Sequence, residues 1–200
     1  MKPVYAVKRM DTPDWSAVPA VELRHTGWLE PCPIEAKAQL CWDGAETLWV
    51  RLEAKEAPIR ATLTGKLDPV CTDSCLEFFL APWPEDVRYF NFEFNPLGAL
   101  YLGYGAERSS RVRQIVKDPE GTFAPAPFFT EDGWGIVFRV PLAFLRVYDP
   151  AFSFGTELHA NFYKCGDLTE TPHYLAWSPL SCDTPDYHRR QDFGVLRLEV

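Results

Sequence analysis

The chain has 200 residues, 46% of them hydrophobic and 14% aromatic, which is enough to enclose a sizeable core and excludes intrinsic disorder. A net charge of −8 at pH 7 speaks against nucleic acid and anionic membrane as partners, since both need a cationic surface. No apolar run approaches the ~20 residues that span a bilayer.

The start, Met1-Lys2-Pro3-Val4-Tyr5, lacks the apolar stretch of a secretion signal, so the sequence as written is expected in the cytoplasm. With a signal removed, it would be extracellular. From Ile34 to Trp42 apolar and polar residues alternate, Asp43-Gly44 turns the chain, and Leu48, Val50 and Leu52 resume the alternation. This pattern predicts a hairpin. Further strands are predicted over Ile59–Leu63, Leu76–Leu80, Tyr89–Asn95, Leu100–Tyr104, Arg111–Val116, Trp134–Val140, Glu157–Tyr163, His173–Trp177 and Val195–Val200. Helical signal is confined to one or two turns at Pro141-Leu142-Ala143-Phe144-Leu145, with Pro at a plausible first position. The 18 prolines fall largely between strands. Ten or so short alternating strands predict an all-β fold, a single antiparallel β-sandwich of jelly-roll type with little helix, in one domain over residues 1–200.

The predicted strand Tyr89–Asn95 has two chemically different faces. Phe90, Phe92 and Phe94 point one way and Asn91, Glu93 and Asn95 the other. The first face suits a core. The second, a row of short rigid donors and acceptors, suits a neutral polyhydroxylated ligand, although a solvated strand face would look the same. Glu77 and Glu93 on two strands are a candidate carboxylate pair for glycosidic acid–base chemistry. There is no nucleophile elbow, phosphate loop or His-Glu-x-x-His motif. In the last third, Asn161 and Tyr163 share one strand face, and Tyr187, His188 and Arg189 lie together on an irregular stretch. Aromatic faces stack on the C–H face of a pyranose, and Arg and Asn hydrogen-bond hydroxyls. The same groups would also serve to pin a loop to the core.

Six cysteines include no Cys-x-x-Cys pair. Cys71 and Cys75 are roughly 13 Å apart on a strand at ~3.3 Å per residue, beyond the ~7 Å limit for a disulfide. The cysteines are expected to be free thiols, mostly small buried hydrophobes.

The stretches Asp68–Leu80, Tyr89–Asn95, Asn161–Asp167, His173–Trp177 and Pro185-Asp186-Tyr187-His188-Arg189 through Phe193-Gly194 resemble the family 9 carbohydrate-binding modules, in their divergent branch. They lie within Ile34 to Val200, so the resemblance covers most of the chain. The resemblance implies a β-sandwich that binds sugar without cleaving it, with two rings clamping a terminal sugar and polar strand residues on its hydroxyls. By position, the second ring falls on Tyr187 and the polar positions on Glu77, Asn91, Glu93, Asn161 and Tyr163. The loop residues His188 and Arg189 are expected beside the sugar as well, with Glu77 and Arg189 closing its edge. The first ring falls near Val70 or Cys71, where no aromatic stands; Trp177, Trp28 and Trp83 are available to replace it. An arginine of the better-known pattern falls on Asn91, so sugar specificity does not transfer. The resemblance also implies a structural calcium, for which Asp68 and Asp167 mark Asp-bearing turns, though no calcium-ligand loop is legible. No other cofactor is expected. The competing reading is a small glycosidase or sugar-modifying enzyme that uses Glu77 and Glu93. A haem-binding relative would need axial ligands that two N-terminal methionines supply poorly.

Overall fold

The computed structural model describes every residue except 1, 27 and 29. Its strands are β1 (Val4–Arg9), β2 (Val21–Glu22), β3 (Glu35–Trp42), β4 (Thr47–Lys55), β5 (Cys75–Ala81), β6 (Tyr89–Phe94), β7 (Leu100–Gly105), β8 (Arg111–Arg113), β9 (Ala126–Phe129), β10 (Gly133–Pro141), β11 (Glu157–Cys165), β12 (Tyr174–Ala176) and β13 (Gly194–Leu198). Two short helices, α1 (Pro119–Phe123) and α2 (Leu142–Leu145), complete the regular structure beside two 3-10 turns. The hydrogen-bonded path runs β8-β7-β6-β5-β11-β13-β1-β3-β4-β10-β9. Strand β1 divides that path. Val4–Val7 pair with β13, and Lys8 and Arg9 pair with β3. One strand therefore serves two sheets, and the two sheets fold onto each other as a β-sandwich.

The core lies between those sheets. Phe138 of β10 packs against Phe94, Phe92 and Phe78 of the opposing sheet at ring separations of 4.7, 5.9 and 6.2 Å. Alternation dictates this: Phe90, Phe92, Phe94, Phe78 and Phe162 all occupy inward positions of their strands and are fully buried. At ~1.5–3 kcal/mol for each fully buried large apolar side chain, this aromatic layer is a main source of stability.

The sheet is mixed rather than purely antiparallel, because β1 runs parallel to both β13 and β3. Parallel neighbours need a long crossover, and the chain supplies one from Met10 to Ile34 and another through nearly the whole molecule. Strands β1, β2 and β9 lie outside the predicted set; β2 has two residues and β9 four, too short to show alternation. Predicted strand Ile59–Leu63 is instead irregular. The backbone N–H groups of Thr62 and Leu63 donate to the Asp73 carboxylate at 2.8 and 2.9 Å, and Arg60 N donates to Ser74 Oγ at 2.9 Å. Two side chains thus take the place of a ladder. The predicted hairpin turn is present: Asp43 Oδ1 accepts from the N–H of Ala45, Glu46 and Thr47, and Gly44 has φ +84°, a conformation that favours glycine.

Candidate functional site

The outward face of the β7-β6-β5-β11 sheet is organised in rungs fixed by strand register. One rung runs Tyr163, Glu77, Glu93, Tyr101. The next runs Asn161, Phe79, Asn91, Gly103. On the other side of the first rung, Cys165 faces Cys75. The segment between β12 and β13 folds over this face. Its Tyr187 ring stacks on Tyr163 at 4.0 Å and 12°, and its His188 ring lies 5.1 Å from that of Phe79. A pocket of about 110 Å³ remains, floored by Glu77 and Glu93 and walled by Trp28, Tyr174, Tyr187 and Arg108 among others.

The floor is a buried carboxyl pair. Asn91 Nδ2 donates to Glu93 Oε1 at 2.6 Å, and Arg111 Nε donates to Asn91 Oδ1 at 3.0 Å. Arg111 is itself held by Tyr89 O at 3.0 Å, with its guanidinium 4.3 Å over the Tyr89 ring. Asn91 lies flat against β7 because Gly103 has no Cβ to displace it. Burial pushes the Glu93 carboxyl up to about 7, although the Asn91 hydrogen bond and Arg111 pull the other way. Burial, reinforced by the neighbouring Glu93 charge, pushes Glu77 well above the usual carboxylate range. His188 is pushed down to about 3, by burial first and then by Arg111 and Arg108. Its imidazole is therefore neutral at pH 7. Burial also keeps the Tyr89 phenol protonated, and its hydroxyl pairs with His188 Nδ1 at 3.0 Å.

Of the residues singled out from the sequence, Glu77, Glu93, Tyr187 and His188 line the pocket. Asn91 stands behind Glu93. Asn161 is fully buried, with Oδ1 accepting from Ser178 N at 2.9 Å and Nδ2 donating to Ser178 O at 3.1 Å. Tyr163 lies beneath Tyr187 and donates to its carbonyl at 3.1 Å. Trp177 faces the core, 5.4 Å from Phe162, and Trp83 packs on Phe90 at 5.9 Å. Arg189 turns to Asp192 at 2.8 Å. Asn95 ties down its own turn, accepting from the N–H of Leu97 and Ala99. Among the three tryptophans considered as a first ring, Trp28 reaches the pocket. Its centroid is 5.9 Å from Tyr187 and 5.7 Å from Tyr174, too close for a sugar ring to enter between them, so the three rings form one wall. Arg108 and Arg111 had no sequence signal as site residues, because only strand order brings them here; Tyr174 lay within the family-like stretch His173–Trp177 without being singled out.

Calcium takes six to eight oxygen ligands. Among the described residues, the one grouping of three Asp, Glu, His or Cys ligand atoms is Cys75, Glu77 and Cys165, with two sulfurs and one carboxylate. That donor set does not fit calcium. Asp68 accepts from Gly65 N at 2.7 Å and closes its own turn.

Residues 42–198 match the family model described as carbohydrate-binding family 9. A candidate carbohydrate-binding protein of Bacteroides uniformis superposes with a TM-score of 0.87 at 26% identity, covering 100% of both chains. A carbohydrate-binding module of family 9 from Caldicellulosiruptor kristjanssonii, solved with cellotriose, superposes with a TM-score of 0.68 at 14% identity, covering 98% of this chain and 94% of that one. The same module solved with glucose gives 0.68 and 14%, covering 98% and 96%. No curated protein matches the chain.

Proposed function

The chain belongs to carbohydrate-binding family 9, and from that premise we propose that its pocket holds one sugar ring, or the end of a glycan, without cleaving it. The observation that carries this reading is the joint presence of an aromatic wall (Trp28, Tyr174, Tyr187) and a carboxyl floor (Glu77, Glu93) in one concavity on a rigid sheet. An aromatic wall offers a face to the C–H surface of a pyranose, and the carboxyls and the His188 imidazole pair with its hydroxyls. At about 110 Å³ the pocket is well below the ~300–1,000 Å³ of sites for drug-sized ligands, which favours a single ring over a chain. One wall instead of a two-ring clamp favours weak binding. Asn91 and Arg111 act from behind by holding Glu93.

A glycan array followed by calorimetry tests the reading, with glucose and cello-oligosaccharides as first ligands because related modules were solved with them. Saturable binding that Glu93→Gln weakens about tenfold, or ~1.4 kcal/mol, is expected. Absence of binding across the array would overturn it.

Hydrolysis by the carboxyl pair is a second reading, favoured by their direct opposition across β5 and β6. Cross-strand neighbours are ~4.5–5.5 Å apart at Cβ, so the two carboxyls occupy adjacent positions on one face, as the paired carboxylates of glycosidases require. Chromogenic glycosides separate the two. Binding alone releases no chromophore, whereas release abolished in Glu77→Gln would replace binding by catalysis.

A further inference from the structure

We propose that Cys75, Cys165 and Glu77 form a three-ligand site for a thiophilic divalent cation of the zinc class. The sequence separates the two cysteines widely, but strand register sets them directly opposite on β5 and β11. Glu77, two residues beyond Cys75, projects from the same face. Glu77 Oε1 is 3.0 Å from Cys165 Sγ and 3.9 Å from Cys75 Sγ, and all three donor atoms lie within 4.8 Å of one another. Those spacings suit ligands that share one ion at ~2.3 Å for sulfur and ~2.0–2.2 Å for oxygen.

An independent observation points to a missing partner. Glu77 is buried, and among the described residues its hydrogen-bond donors are the two thiols alone. A thiol is a weak donor, and a buried carboxyl without a strong one is costly. The neighbouring cation does not relieve it: Lys164 points to the opposite face of β11 and pairs with Glu56 at 3.1 Å. Two sulfurs and one oxygen select a soft or borderline ion over calcium or magnesium. Each thiol, and the Glu77 carboxyl wherever it is protonated, gives its proton to solvent as the ion binds. Three protein ligands leave one position open, on the side where Glu77 and Cys165 line the pocket.

Cadmium titration of the metal-free, reduced protein provides the test, with no sugar present, so its outcome is separate from that of the sugar experiments. The site predicts one equivalent bound with thiolate-to-cadmium charge-transfer absorption. That absorption should fall to background in Cys75→Ala and in Cys165→Ala, and persist when Cys32 and Cys182 are both changed to Ser. Should the alanine variants fold poorly, X-ray absorption of the zinc-loaded parent decides: two sulfur neighbours at ~2.3 Å are expected. Absent charge transfer in the parent, absorption that survives both alanine changes, or a zinc shell of nitrogen and oxygen only would overturn the site.

Discussion

Tyr187 shows how one residue serves two ends. From the sequence it is either a ligand platform or a pin for its loop. In the structure it is half-buried, stacked on Tyr163, and its hydroxyl donates to the carbonyls of Lys164 at 3.1 Å and Leu175 at 3.3 Å. An exposed ring could be removed at little cost to stability; this one cannot. Tyr187→Phe should lose about 0.5–1.5 kcal/mol through the hydroxyl. Tyr187→Ala should lose on the order of 2 kcal/mol or more through the ring, besides weakening sugar binding about tenfold. Denaturant unfolding and calorimetry on both variants check this, and an unchanged midpoint for Tyr187→Ala would contradict the packing described. Glu93 yields a pH prediction. Its carboxyl titrates near 7 when folded against 4.5 as an ordinary carboxyl, so between those values the folded state binds more protons than the unfolded one. Stability is thus lost as pH rises from about 4.5 through 7. Glu93→Gln removes that loss. Its melting temperature relative to the parent should rise steadily from pH 4.5 to pH 8, and a pH-independent difference would show that Glu93 ionises normally.

Between elements, the strands are tied by a polar network inside the core. Glu56, just past β4, accepts from Lys164 of β11 at 3.1 Å, Trp134 Nε1 of β10 at 3.0 Å and Ser74 Oγ ahead of β5 at 2.8 Å. Lys164 also donates to His173 Nε2 at 2.7 Å, and the ring passes its Nδ1–H to Thr171 O at 2.7 Å. Burial and the Lys164 charge lower the His173 pKa, so the imidazole is the neutral member and the ion pair is Lys164–Glu56. Breaking a buried pair leaves an uncompensated charge. Lys164→Met should cost about 3–5 kcal/mol, and adding Glu56→Leu should recover a large part of it. Chemical denaturation of the single and double variants measures the coupling; additive losses would mean the pair is not a unit. The segment Asp73-Ser74-Cys75-Leu76-Glu77 divides along the same lines. Asp73 and Ser74 hold neighbouring backbone and Glu56, and only Glu77 reaches the pocket.

For the whole molecule, β1 is the joint. It hydrogen-bonds to β13 with its first half and to β3 with its second, and Tyr5 of β1 donates to Pro19 O at 2.6 Å while accepting from Leu40 N at 3.0 Å. Removing residues 1–9 would expose two strand edges at once. The truncated chain should melt lower and self-associate, as scanning calorimetry and light scattering would show; a monomer with parental melting would mean the sheets hold together without β1. Alternation alone determined most of the strands, the inward aromatics and the polar outward face, because side-chain direction along a strand is a local, period-two property. The family-like stretches likewise located Glu77, Glu93, Tyr187 and His188 in sequence. Register and strand order are long-range, and no local pattern encodes them. They decided that Glu77 opposes Glu93, that Cys75 meets Cys165 across β5 and β11, that Asn161 and Asn95 are consumed by backbone, and that Trp28, from a distant loop, closes the wall beside Tyr187.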